Sequence, residues 1–188
     1  MEFTSSTGLT ATTEVVESAD LAVSYDSTYT TDGTTVYLYG TDAATVDLST
    51  GVYGSAINID ASNSAGANYL LGNWAANIII SGPGPSYLWG GADYMNDILV
   101  GGWSYDTFVY GRYEGNDAIL NGSSMDIINL YDSYVSDIVQ TAYDGTNLAL
   151  LFNTGNTLVV ACTDYLSPIF ATADGGQYTF NRATYSWQ

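Results

Sequence analysis

From Val36 onward the chain alternates short apolar triplets with turns rich in Gly, Asn and Asp. The triplet centres read Tyr37, Val46, Asn58, Leu70, Ile79, Leu88, Leu99, Phe108, Ile119 and Ile128. The steps between them are 9, 12, 12, 9, 9, 11, 9, 11 and 9 residues. A strand alternates faces, so each triplet sends one side chain into a core and its two neighbours outward. One such unit cannot bury its apolar face alone, whereas stacked units can. The densest example is residues 90–120, where GGADYMND precedes ILV, GGWSYD precedes TFVY and GRYEGND precedes AIL. Paired glycines let the backbone take positive φ in these bends. The Asp that follows can accept hydrogen bonds from the turn's own amides or ligate a cation.

Strands this short, with turns this regular, fit either a sandwich or a solenoid. A sandwich of hairpins favours Asn-Gly or Asp-Gly turns and longer strands. A step held near nine favours coils stacked at the strand spacing of about 4.8 Å. The pattern therefore predicts an all-β chain in which residues 33–131 form a parallel β-roll, a β-solenoid of 9–12-residue repeats. Two flanks break the rhythm. Residues 1–32 are rich in Thr and Ser and hold no glycine between Gly8 and Gly33, which predicts an N-terminal extended arm or cap strand. Residues 132–188 carry longer apolar runs punctuated by Asp144-Gly145, Thr154-Gly155-Asn156 and Asp174-Gly175-Gly176, which predicts a C-terminal antiparallel β-meander cap. Such a cap would cover the last coil, whose unpaired edge otherwise recruits other chains.

Charge and composition narrow the function more than the fold. Twenty Asp and Glu face two cations, Arg112 and Arg182, for a formal charge of −18 with no Lys and no His. Phosphate binding needs clustered Lys and Arg, so no nucleic-acid partner is expected. Binding to an anionic membrane surface is disfavoured for the same reason, and no run of 18 apolar residues is present to insert into a bilayer. A hydrophobic content of 46%, with 14% aromatic residues, argues for a folded chain despite the charge. Cys162 is the single cysteine and follows Leu-Val-Val-Ala, so it reads as a buried, inert thiol and leaves no internal disulfide. The first residues, MEFTSSTGLTATTEVVESAD, lack the basic region and apolar core of a secretory signal peptide.

Catalytic classes fall away by inventory. Without His there is no Ser-His, Cys-His or His-ligated zinc chemistry. Without Lys or a GxxxxGK[ST] motif, Schiff-base and P-loop chemistry go too. Paired carboxylates for glycoside hydrolysis stay in the inventory. Yet only Glu2, Glu14, Glu17 and Glu114 are glutamates, and an acid in a glycine turn is far more often structural. A non-enzyme is expected.

GGWSYDTFV resembles the nonapeptide of the repeats-in-toxin (RTX, hemolysin-type) calcium-binding β-roll, GGxGxDxUx with U a large apolar residue. Gly101, Gly102, Asp106 and Phe108 match, and Ser104 stands at the third glycine. Residues Phe108–Ile119 resemble the segment that often closes such an array, and GNWAANIIISGPGPSYLWGG keeps the same beat upstream. The resemblance covers roughly residues 33–131. It implies a parallel β-roll, an extracellular or cell-surface setting, and export without an N-terminal signal peptide. It also implies calcium between stacked turns, held by turn carbonyls and the Asp of each repeat. Alternate turns share an edge, so Asp97 is expected to stack with Asp117 and Asp106 with Asp126, the four candidate metal ligands.

The upstream turns depart from that pattern. Trp74, Ala75, Ala76, Pro83, Pro85, Tyr94 and Met95 stand where ligands would be useful, and calcium wants six to eight oxygens. No cofactor is therefore expected to be required. The four aspartates read either as turn caps or as one or two partial Ca²⁺ sites. Seventeen Tyr and four Trp exceed what so thin a coil can hide, so some face outward as a sugar platform or as interface. The expected function is a non-catalytic extracellular structural protein whose partner is itself. It would form a homo-oligomer, filament or layer through its coil ends and N-terminal arm. The alternative is a calcium- or glycan-binding module of a secreted adhesin or enzyme.

Overall fold

The computed structural model of the chain describes residues 28–162 and 168–188. Its strands begin with β1 (Thr28–Thr31), β2 (Thr35–Gly40), β3 (Thr45–Asp47), β4 (Asn58–Ser64), β5 (Asn68–Leu71) and β6 (Ile78–Ile80). They continue with β7 (Ser86–Trp89), β8 (Ile98–Val100), β9 (Thr107–Tyr110), β10 (Asp117–Gly122) and β11 (Ile127–Leu130). From β2 onward these strands fall alternately into two parallel sheets. Sheet I takes β2, β4, β6, β8 and β10; sheet II takes β3, β5, β7, β9 and β11. Each strand pairs with the strand one full coil later, so two apolar triplets make one turn of a solenoid.

The register stacks like on like. Ile59, Ile79, Leu99 and Ile119 form one inward column, and Leu70, Leu88, Phe108 and Ile128 the other. None of the eight is more than 2% exposed. Ile, Val, Thr and aromatic residues suit these short, half-buried strands. The spacing along the first column is 20 residues, two beats of the sequence pattern.

Two predicted centres are displaced by one residue. The inward positions are Val36 and Ile59, which pair with each other, whereas Tyr37 and Asn58 point outward. In β2 the alternation buries Val36 and Leu38 together, and the phenol of Tyr37 reaches Asp32 Oδ2 at 3.0 Å. In β4 the one long aliphatic side chain is Ile59, and it takes the core position.

Beyond β11 lie β12 (Ile138–Tyr143), β13 (Asn147–Phe152) and β14 (Thr157–Cys162), an antiparallel meander. Its two turns hinge on Gly145 and Gly155, both at positive φ (103° and 92°), where a β-carbon would be strained. The third strand of the meander does double duty: β14 also pairs parallel with β10 and so extends sheet I. Likewise β15 (Ile169–Thr172) pairs parallel with β11 and extends sheet II, ahead of antiparallel β16 (Gln177–Tyr178). The parallel register thus runs past residue 131, to about five turns in all. A hairpin of β17 (Phe180–Asn181) and β18 (Ser186–Trp187) follows.

Both ends of the core are closed by aromatic pairs. Tyr29 meets Tyr53 edge-on at 5.3 Å at the first coil, and Trp187 meets Phe170 and Phe180 at 5.1 and 5.4 Å at the last. Such pairs contribute about 0.5–1.5 kcal/mol each beyond the area they bury. Arg112 fastens the cap to the coil. Its guanidinium reaches Asp137 at 2.9 Å, and its carbonyl accepts from Thr154 Oγ1 and Asn156 Nδ2. The predicted arm lies outside the described residues except for 28–32, of which 28–31 form β1 antiparallel to β2, and the side chain of Cys162 lies outside them too.

Candidate metal centre

Successive turns stack along the two long edges of the solenoid, and the structure brings the four predicted aspartates together in two pairs. On the edge leading into sheet I, Asn77, Asp97 and Asp117 stand above one another at intervals of 20 residues. Asp97 Oδ1 accepts the backbone N–H of Asn77 at 2.8 Å, and Asp117 Oδ1 accepts that of Asp97 at 2.9 Å. On the opposite edge Asp106 Oδ1 accepts the N–H of Ser86, and Asp126 Oδ1 that of Asp106, both at 2.9 Å. Each carboxylate therefore caps the amide at the equivalent position one coil earlier. A buried N–H without an acceptor is costly, and a charged acceptor makes the stronger bond.

The two edges differ in what they leave over. Asp106 also accepts from Ser81 Oγ at 3.0 Å and, through Oδ2, from the N–H of Gly102 at 2.7 Å. Asp126 Oδ2 accepts from the N–H of Ser123 at 2.7 Å. The positive ends of these donors occupy the lone pairs a cation would need, so this edge fits capping. At the other edge Asp97 Oδ2 and Asp93 Oδ2 are buried without a hydrogen-bond partner. Asp93 Oδ1 accepts the N–H of Met95 at 2.6 Å.

The two orphaned oxygens gather at Gly90 and Gly91. A β-carbon on Gly90 would collide with Asp97 Oδ2; one on Gly91 (φ +131°) would lie 2.7 Å from the Asn73 carbonyl oxygen and 3.6 Å from Asp93 Oδ2. Among the described residues no three His, Cys, Asp or Glu side chains converge as a metal's ligand set would. A hard cation at Gly90–Gly91 would thus depend on carbonyl oxygens and water for most of its shell.

Burial sets the electrostatics. Asp97 is pushed up to about 7 by burial, with the charges of Asp93 and Glu114 adding to it against the bond from Asn77. Asp117 is pushed up to about 8, again by burial first, with the charges of Asp97, Glu114 and Asp93 adding to it. Asp106 rises to about 6 through burial, opposed by its bonds from Gly102 and Ser81. Burial raises Asp93 and Glu114 as well. Glu114 spans the turn, accepting from Trp89 Nε1 at 2.9 Å, Tyr131 Oη at 2.8 Å and the N–H of Gly111 at 2.8 Å. Arg112 pairs with Asp132 and Asp137, away from this group. The raised carboxyls of this buried edge favour the uptake of protons.

Asp93, Glu114, Asn77 and Ser86 are the residues of these edges that the nine-residue beat does not single out. Asn77 and Ser86 are legible at the length of one full coil, each 20 residues ahead of a predicted aspartate. Asp93 and Glu114 have no such signal, because their surroundings come from other coils. Fold and site together define a two-sheeted parallel β-solenoid with carboxylate-capped turns. No family model matches the chain, and no curated protein matches it. Among the described residues no helix is long and apolar enough to cross a membrane.

Proposed function

We propose that the chain is a non-catalytic structural protein, a degenerate RTX-type β-roll that self-associates at the cell surface or outside the cell. The observation that carries this reading is the outward placement of its aromatic side chains. Trp103 is 91% exposed, Trp74 82%, Tyr94 77% and Tyr105 66%, all on turns along the two edges. Clustered exposed aromatics mark interaction surfaces rather than solvated ones. Asp97, Asp106, Asp117 and Asp126, meanwhile, each cap a backbone amide of the preceding coil, which suits a scaffold. The turn edges that carry these aromatics join the coil ends and the N-terminal arm as surfaces for assembly.

At −18 per copy, association is opposed by repulsion until salt, protons or divalent ions screen it. Light scattering and negative-stain images across pH 4–8, at low and high salt, test the reading. Larger species are expected as pH approaches the sequence pI of 4.1 or as salt rises. A monomer under every condition overturns it.

A second reading, a calcium-binding module, is favoured by the two orphaned oxygens of Asp93 and Asp97. These and the Asn73 carbonyl are the groups that would hold the ion, which would supply the positive charge this edge lacks. Calorimetric titration with calcium, in the parent and in Asp93→Asn, tests it. Binding lost in the variant supports the module, and no heat in the parent removes it.

A further inference from the structure

Tyr69 on β5 and Tyr87 on β7 are register partners on the outer face of sheet II, one coil apart. Their rings lie stacked, with centroids 5.5 Å apart and planes 30° from parallel. Thr45 precedes them in the same column and Thr107 follows, so each ring has the other as its aromatic neighbour there. Tyr69 is 56% exposed and Tyr87 half-buried, which leaves the pair open to solvent. No hydrogen bond to a described residue ties either hydroxyl.

The other tyrosine pairs among the described residues are built differently. Tyr29 and Tyr53 meet edge-on at 80°, with the Tyr53 ring buried and its hydroxyl donating to the Thr45 carbonyl. Tyr143 and Tyr185 lie 6.3 Å apart at 61°. The Tyr143 hydroxyl donates to the Gly145 carbonyl, and the Arg182 guanidinium sits over its ring. Composition points the same way as geometry. A chain with no Lys and a single Cys forms neither an internal disulfide nor a lysine cross-link, whereas it carries 17 tyrosines.

We propose that Tyr69 and Tyr87 are an oxidative coupling site, where a one-electron oxidant such as a haem peroxidase with hydrogen peroxide joins the two rings as a dityrosine. Each phenol gives up one electron and one proton. The two phenoxyl radicals join through the ring carbons ortho to oxygen, and the hydrogen on each of those carbons passes as a proton to its own oxygen, restoring both phenols. The pair loses two hydrogens in all, and the peroxide is reduced to two waters. Stacking supplies the encounter in advance, which is the larger part of what a coupling between two side chains needs. The product would lock β5 to β7 and harden the solenoid along its axis. It does not depend on whether copies of the chain associate.

Brief treatment of the dilute full chain with a haem peroxidase and hydrogen peroxide, read by dityrosine fluorescence and chymotryptic peptide mapping, tests this. The monomer fraction is expected to hold a product short of two hydrogens that joins the peptides containing residues 69 and 87. Its yield should be independent of protein concentration and should fall roughly tenfold or more in Tyr69→Phe and in Tyr87→Phe. Tyr105→Phe, which removes a 66% exposed tyrosine outside the pair, should leave it unchanged. Circular dichroism checks that each variant folds, and every one of them keeps its ring. The coupled parent should unfold at higher urea than the uncoupled parent, because the link closes a loop in the unfolded chain. A monomer without dityrosine, a link that persists in Tyr69→Phe, or coupling only between copies through other tyrosines overturns the site. Each result is read on the monomer, so self-association stands or falls separately.

Discussion

Asp97 is 1% exposed and its Oδ2 lacks a hydrogen-bond partner, so holding it ionised in the folded chain is costly. Burial pushes its carboxyl up to about 7, from an ordinary value of 3.8. Between those values the folded state keeps a proton that the unfolded chain has released. The associated stability is complete below the unfolded value and is lost as pH rises through the folded one. Three units at 1.36 kcal/mol each set a ceiling of about 4 kcal/mol, and coupling to Asp93 and Glu114 brings it to about 2–3.

Asp97→Asn removes the charge and keeps Oδ1 for the Asn77 amide. Its new NH₂ finds no acceptor at the Oδ2 position, which costs about 1 kcal/mol. The variant should therefore be more stable than the parent by about 1–2 kcal/mol at pH 8, or roughly 2–8 °C in Tm. At pH 5 it should be equal or slightly weaker. Urea denaturation in chelator at pH 5, 6, 7 and 8 measures this. The parent should lose stability over that range, since Asp106 and Asp117 are raised too, to about 6 and 8. A parent that gains stability from pH 5 to 8, or a variant destabilised equally at both ends, refutes the reasoning.

Two further substitutions probe the core and the opposite edge. Leu88→Ala empties a fully buried site between Leu70 and Phe108 and should cost about 2–5 kcal/mol by urea denaturation, whereas Ile78→Ala on the outer face should stay within about 1 kcal/mol. Asp106→Ala strips the acceptor from Ser86 N–H, Gly102 N–H and Ser81 Oγ and should cost about 3–5 kcal/mol. Hydrogen exchange should then speed up first at the Ser86 and Gly102 amides, and unchanged protection there would count against the capping role.

Legibility in the sequence followed the range of the interaction. Gly145, Gly155 and Gly175 sit at positive φ in the three turns that Asp-Gly and Thr-Gly-Asn announce. That is a local steric requirement, readable from neighbours in the chain. The pairing of Asp97 with Asp117 and Asp106 with Asp126 was legible because the repeat is regular there. Tyr37 and Asn58 were misplaced because the first coils run to 23 and 24 residues between paired centres, Val36 to Ile59 and Val46 to Leu70, which blurs the beat. The return of β14 and β15 to the parallel sheets left no local mark, since a strand ending a meander and one closing a coil carry the same alternation.

The amino-acid pattern on its own settled the bend positions, the inward column and the acidic edges, all properties of short segments. Which segment lies against which was decided by the packed coils. From that packing come the unpaired oxygens of Asp93 and Asp97 and the threefold acceptor role of Glu114. The physical reason is that desolvation is a property of surroundings. A carboxyl or an isoleucine has its energy set by what neighbouring coils, some 20 residues away in the chain, place over it.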